Sequence, residues 1–311
     1  MPSNQNPLGA LPARFRRERL LVVGCGDVGL RVVRQLRGRM AVRALTSSPA
    51  RVPELRAAGA VPLQGDLDVP ATLRRLAGTV TRVLHLAPPP REGWGDPRTV
   101  ALGRALLRRG AVRTLVYGST SGVYGDCGGA RVAETRPLQP ATARAWRRVA
   151  AEQAVRFTAR VARAGGPLRA SILRIPGIYA PDRAGGTPRE RLLKGTPVLD
   201  AADDVYTNHI HADDLARACM AALWRGRPQR VYNVADASDL KMGDYFDLAA
   251  DLYGLPRPPR VPRSTAQEQL PLVLLSFMGE SRRLDTHRLQ HELRLRLRFP
   301  QVADGLLPLL R

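Results

Sequence analysis

Apolar positions along this chain alternate between two periods. Residues 20–23, Leu-Leu-Val-Val, form a short continuous apolar run suited to a strand buried on both faces. A glycine turn follows. Val28, Val32, Val33 and Leu36 then recur at helical spacing until Gly38 ends the pattern. The same change of period returns. Residues 40–46, 61–63, 81–87, 114–118 and 169–174 read as strands. One helix starts at Ser48-Pro49, with Ser48 as cap and Pro49 in the first turn. Others span 97–109, stopped by Gly110, and 141–164, stopped by Gly165-Gly166. This alternation predicts an α/β fold: a Rossmann-type, doubly wound parallel sheet with right-handed crossovers and helices on both faces.

Past residue 176 the regularity breaks. Residues 181–188 form a Gly/Pro-rich loop. A short strand is expected within 203–211, a helix over 212–225, a strand over 231–234 and a helix over 284–293. The run PRPPRVPR, at 256–263, excludes a helix or a central strand. The expected organisation is a disordered lead-in over 1–18, a nucleotide-binding Rossmann domain over 19–175, and a smaller substrate-side lobe over 176–311. Elements of that lobe return in part to the main sheet.

The turn between the first strand and helix carries the first candidate chemistry. Gly24, Gly26 and Gly29 have the spacing G-x-G-x-x-G. Gly24 suits the tight turn, Gly26 lets a pyrophosphate approach the backbone, and Gly29 lets the helix pack close to the sheet. The free N–H groups and the dipole at the helix start, around Asp27 and Val28, would hold the phosphate charge. A nicotinamide dinucleotide is therefore the expected cofactor. In NAD enzymes an acid at the end of the second strand binds the ribose 2′-hydroxyl. Here residues 45–51 hold no acid but offer Ser47, Ser48 and Arg51, which suit a 2′-phosphate through charge-assisted bonds. NADP is expected over NAD.

Composition narrows the class. No run of 18 apolar residues occurs, so no membrane span is expected. Three dispersed cysteines, Cys25, Cys127 and Cys219, suit a reducing, cytoplasmic setting and suggest neither disulfides nor zinc. His209 and His211 alternate along a strand, but no third ligand is spaced to join them, and no metal is expected. The formal net charge is +22, and all but two of the 49 basic residues are arginine. Such an excess favours polyanions. The basic residues are nevertheless spread along the chain with few aromatics between them, which places nucleic acid behind a small-molecule partner.

Further stretches add a resemblance. In chain order they are Gly65-Asp66-Leu67, His85-Leu86-Ala87, the run STSGVYG from Ser119, Glu134-Thr135-Arg136-Pro137, the run LRIPGIY from Leu173, the run HADDLA from His211, and Tyr232-Asn233-Val234. Together they resemble the extended short-chain dehydrogenase/reductases, or NAD-dependent epimerase/dehydratases, from about residue 20 onward. The resemblance implies that Asp66, with Leu67, lies by the adenine, and that Leu86 and Ala87 lie by the nicotinamide ribose. It implies that Thr120 hydrogen-bonds a substrate oxygen, against a plain capping role. The run ESRR from Glu280 resembles a stretch that binds a substrate diphosphate, or is a solvated loop.

The sequence also departs from that family. Its proton carrier is a Tyr with a Lys four residues later. Alignment on Pro140 and Glu152 puts Arg144 and Arg148 at those positions, and no Tyr-x-x-x-Lys occurs anywhere in the chain. An Arg, with a pKa above about 12, is no practical acid or base. Arg148 can still hold a ribose hydroxyl or a phosphate, and Arg144 an anionic substrate group. Tyr124 and Tyr179 are candidate replacement acids, against ordinary packing roles. The resemblance thus implies an atypical NAD(P)-dependent oxidoreductase or epimerase acting on a sugar nucleotide or other anionic substrate. A non-catalytic NADP-binding sensor and an RNA-binding member stay open beside it. A homodimer through the long helix is a further expectation, although Arg147, Arg156 and Arg160 are expected on its outward face, so a symmetric pairing needs acids opposite them.

Overall fold

The computed structural model describes residues 18–162 and 167–308. The lead-in therefore falls almost wholly outside the described residues, as does the expected glycine stop of the long helix. The seven strands of the central sheet are β1 (Arg19–Val23), β2 (Ala41–Thr46), β3 (Val61–Gln64), β4 (Arg82–His85), β5 (Thr114–Thr120), β6 (Arg169–Ile175) and β7 (Arg230–Asn233). They run in the order β3-β2-β1-β4-β5-β6-β7, and every pairing is parallel. Strand order reverses between β1 and β4. Open sheets of this kind bind ligands at that crevice, beyond the C-terminal strand ends.

The apolar run of β1 shows why the sheet is buried on both sides. Leu20 and Val22 enter one core with Val32, Val33 and Leu36 of α1 (Asp27–Leu36) and with Leu215 and Leu223 of α5 (Ala212–Arg225). Leu21 and Val23 enter the other with Leu102 and Leu106 of α3 (Pro97–Leu107) and with Val155 and Ala159 of α4 (Ala143–Val161). The remaining crossover helix on the β2–β3 side is α2 (Val52–Ala58). β3 closes the sheet as an edge strand, where Pro62 is tolerated.

Beyond β6 the chain builds small pairings around one further long helix, α6 (Met242–Tyr253). Gly177–Tyr179 pairs with His209–His211, and Val198–Leu199 with Arg260–Val261. The strand expected within 203–211 is two: Tyr206–Thr207 pairs antiparallel with Leu240–Lys241, while His209–His211 joins a different sheet. The helix expected over 284–293 shrinks to His287–His291, because Arg283–Leu284 forms a strand against Arg131–Val132. Its apolar positions, Leu289 and Leu293, still reach the core.

Two local assignments also change. Ser48 precedes the helical turn at Pro49–Arg51 but makes no side-chain cap. The Thr46 hydroxyl accepts from the Ser48 N–H instead, at 3.2 Å. On α4, Arg147 is buried and donates to the Gly93 carbonyl, and Arg156 donates to the Gln229 carbonyl. The exposed large apolar side chains of that helix are Trp146, Phe157 and Val161, and Arg144 and Arg160 are exposed beside them. Of the three arginines expected on the outer face, Arg160 alone is exposed.

Candidate functional site

The three glycines of the turn are needed for three different physical reasons. Gly24 has φ +78°, and a Cβ there would stand 2.2 Å from the Ala87 nitrogen. Gly29 lies where a Cβ would press on Val22 and Cys25 at 3.2 and 3.3 Å, so the helix packs tight on its strand. Gly26 is different. Its φ is −79°, which any residue adopts, and a Cβ there would meet nothing within 4 Å. No fold contact requires glycine at that point. Gly26 is the N-cap of α1, and no side chain caps the helix. The turn is thus a cradle that a Cβ would fill, at the positive end of a helix dipole, and it fits a pyrophosphate. Cys25 beside it is buried, and burial pushes its thiol up to about 11, so it is a filler rather than a reactive thiolate.

Asp27 opens α1 beside the turn, and its Oδ2 has no hydrogen-bond partner among the described residues. Its carboxylate accepts from Arg31, which is buried and also binds Asp182 and Asp213 at 2.6 and 2.5 Å. This cluster ties α1 to the loop after β6 and to the start of α5. Val28 packs at the edge of the first core. Beyond β2, Arg51 pairs with Glu54 at 2.7 Å, with both side chains accessible, while Ser47 is exposed and Ser48 half-buried. Asp66 accepts from the Asp68 N–H at 2.9 Å and is half-buried, with Leu67 against the second core. Leu86 and Ala87 follow β4, and their N–H groups both donate to the Val23 carbonyl.

Past the C-terminal ends of β5 and β6 lies a cavity of about 480 Å³. The fold brings Thr120, Arg144 and Arg148 to its wall. The Thr120 hydroxyl accepts from the Gly122 N–H at 3.3 Å, so its capping role is present, and the residue also faces the cavity. Arg148 uses Nη1 on the Tyr117 hydroxyl and the Gly118 carbonyl, at 3.0 and 2.9 Å. Arg144 is exposed and lies over the Phe277 ring at 5.1 Å.

Tyr124 is not brought to this wall, which corrects its placement as a replacement acid. It is 1% exposed, its hydroxyl donates to Asn233 Oδ1 at 2.7 Å, and burial raises its pKa. The partner that fixes it lies 109 residues on, out of reach of any local pattern. Tyr179 does line the cavity but is buried, and burial pushes its phenol far above the usual range.

The opposite wall comes from the second lobe and holds residues that sequence patterns do not single out. Arg191, Thr207, Tyr245 and Phe246 line it, together with Glu280 and Arg282. Glu280 and Arg282 pair at 2.7 Å. His209, noted only as half of an alternating pair, stacks on Tyr245 with ring centroids 4.1 Å apart. His211 caps α5 by accepting from the Asp213 N–H and stacks on Phe299. Capping accounts for His211, while His209 Nδ1 is buried with no hydrogen-bond partner among the described residues. Among the described residues no group of three or more His, Cys, Asp or Glu is placed to hold a metal, and no helix is long and apolar enough to cross a membrane.

Burial of three titratable groups gives a pH signature. It pushes His209 down to about 4, and it pushes His85 down to about 3 with help from the Arg148 charge. These two groups are released from the ordinary value of 6.5, so they cost stability as pH falls below that point. Burial pushes the Asp236 carboxyl up to about 8 from 3.8, so the native state keeps a proton that the unfolded chain has lost. Its contribution is complete below the lower value and gone above the upper one. Between about pH 7.5 and 8, where both histidines are neutral folded and unfolded, only Asp236 of the three slopes, and stability falls as pH rises. Asp236→Asn should flatten that fall in a series of melting curves across the window. An unchanged slope would remove Asp236 as its source.

The parallel seven-stranded sheet, its reversal of strand order and the glycine turn after β1 define a Rossmann-type fold. The sequence profile described as the NAD dependent epimerase/dehydratase family matches residues 20–235, and the chain belongs to that family. Among solved structures, a conserved protein of unknown function from Silicibacter pomeroyi is 32% identical, with a TM-score of 0.76 over 93% of this chain and 96% of that one. MoeE5, in complex with UDP-glucuronic acid and NAD, is 25% identical, with a TM-score of 0.70 over 93% and 96%. The UDP-glucose 4-epimerase of Thermotoga maritima, with UDP-glucose, is 20% identical and shares the fold, with a TM-score of 0.74 over 93% and 96%. No curated protein matches the chain.

Proposed function

We propose that this chain is an NADP-dependent oxidoreductase or epimerase acting on an anionic small molecule, of which a sugar nucleotide is one class. The observation that carries the reading is Gly26, a glycine that no fold contact requires, at the uncapped start of α1. Gly24, Gly26, Val28 and Gly29 form the phosphate cradle. Asp66 and Leu67 flank the adenine, and Leu86 and Ala87 flank the nicotinamide ribose. The bound nicotinamide would supply a hydride acceptor or donor beside the cavity. Thr120 orients a substrate oxygen. Arg148 spends both Nη1 protons on β5 and keeps Nη2 and Nε for a ribose hydroxyl or a phosphate. Arg144 offers its charge to the substrate. The binding of UDP-glucuronic acid and NAD by MoeE5 supports the substrate class.

Ser47, Ser48 and Arg51 support the 2′-phosphate. Arg51 is already paired with Glu54, so the phosphate has to replace a carboxylate at an accessible guanidinium. Titration of nucleotide-stripped protein with NADPH and with NADH, followed by nicotinamide fluorescence, tests this. Arg51→Glu should weaken NADPH about 10-fold or more and leave NADH alone. Equal effects on both would remove Arg51 from the site, and no binding of either by the wild type would end the cofactor reading.

A further inference from the structure

Several buried or half-buried arginines among the described residues are matched by acids. Arg31 meets three carboxylates, Arg174 meets Glu152, and Arg282 meets Glu280. Arg191 differs. Its Nε and Nη2 atoms are buried and have no hydrogen-bond partner among the described residues. Its guanidinium lies 4.3 Å from the centre of the Phe246 ring, which holds the charge but accepts none of its protons. Burial holds its pKa below the ordinary arginine value, and no carboxylate offsets that shift. Buried donors without acceptors are unfavourable, so packing alone does not explain an arginine at this position.

The unmatched donors continue along the same wall. Thr207 Oγ1 and His209 Nδ1 are also buried and without partners among the described residues. Thr207 and His209 are two apart along an extended segment and both line the cavity. His209 is 9% exposed and stacks on Tyr245, whose ring lies 5.6 Å from that of Phe246. A neutral imidazole can carry its one proton on Nδ1, and a hydroxyl turns its proton to suit. One cation and two neutral donors without partners thus belong to residues that line the same cavity, two of them set on one pair of aromatic rings. That set matches an oxyanion attached to a flat or apolar body.

We propose that Arg191, Thr207 and His209 form an oxyanion subsite that takes a carboxylate or a phosphate group of the substrate, with Tyr245 and Phe246 against the part of the molecule that bears it. The subsite is separate from the glycine cradle and from the Glu280–Arg282 pair. It rests on reading this cavity as the substrate site, and it adds that the substrate is acidic at the end held by the second lobe.

Calorimetric titration of the full chain at fixed ionic strength tests it, with phenyl phosphate, benzoate and neutral benzyl alcohol as probes. At least one of the two oxyanions should bind and benzyl alcohol should not. A preference for phenyl phosphate assigns a phosphate, and a preference for benzoate assigns a carboxylate. Arg191→Gln should weaken the bound probe by about 10- to 100-fold and leave NADPH affinity unchanged. Arg191→Met, which removes an uncompensated charge, should melt no lower than the wild type, whereas a structural arginine would melt lower. Failure of both oxyanions to bind, equal binding by Arg191→Gln, or loss on Arg282→Gln alone would overturn the subsite. Because NADPH is titrated on the same preparations, loss of the cofactor reading shows separately: oxyanion binding that depends on Arg191 without NADPH binding leaves the subsite standing.

Discussion

Gly26→Val should weaken dinucleotide binding by about 100-fold or more while lowering the melting temperature only slightly. The backbone at Gly26 has an ordinary φ of −79°, and a Cβ there would meet nothing within 4 Å. A side chain at an open position on the surface changes stability by about 0.5 kcal/mol or less, and exchanging the N-cap glycine for valine adds about 1 kcal/mol at most. The same side chain stands where the pyrophosphate must come close to the N–H groups of α1, and its two methyls cannot move aside without leaving their rotamer. Loss of those contacts should weaken NADPH by about 100-fold or more, each factor of ten being about 1.4 kcal/mol. Gly24→Ala is the contrasting control. It forces φ +78° on a residue with a Cβ, 2.2 Å from the Ala87 backbone, so it should lower the melting temperature further as well. If Gly26→Val binds NADPH like the wild type, the phosphates do not lie at the start of α1 and the turn is structural only.

This contrast also shows what was legible in the sequence. The glycine turn was readable because its constraints are local: a positive φ, a helix packed on its own strand and a free helix start all fall within six residues. The central strands were readable because burial on both faces leaves continuous apolar runs, as in Leu20 to Val23. The cavity wall from the second lobe was not. Arg191, Thr207 and His209 lie on three short segments with no long period, and they meet only because Gly177–Tyr179 recruits His209–His211 as a partner strand. Tyr124 was drawn toward the site by its loop, but its hydroxyl is committed to Asn233 across the fold. The 284–293 stretch had helical spacing, yet pairing of Arg283–Leu284 with Arg131–Val132 consumed its first turn. In each case a distant partner outweighed local propensity.

Arg174→Met should be among the most destabilising single changes in the chain. Arg174 and Glu152 join β6 to α4 through two bonds, Nε to Oε1 at 3.1 Å and Nη2 to Oε2 at 2.8 Å. Their side chains are 4% and 3% exposed. The guanidinium also lies 4.7 Å from the centre of the Tyr124 ring and donates to the Glu134 carbonyl. Removing the cation leaves the Glu152 carboxylate buried with its main partner gone, which costs about 3–5 kcal/mol. Glu152→Leu alone should cost a similar amount, for the mirror-image reason. The double variant, Arg174→Met with Glu152→Leu, should recover most of the loss, because neither charge is then left alone and apolar groups of similar volume fill the space. Urea denaturation of the four proteins closes the cycle. If the double variant is as unstable as the two singles added together, the pair contributes no coupling. Arg174 would then act through Tyr124 and Glu134, and the tie between β6 and α4 would lie in the apolar contacts alone.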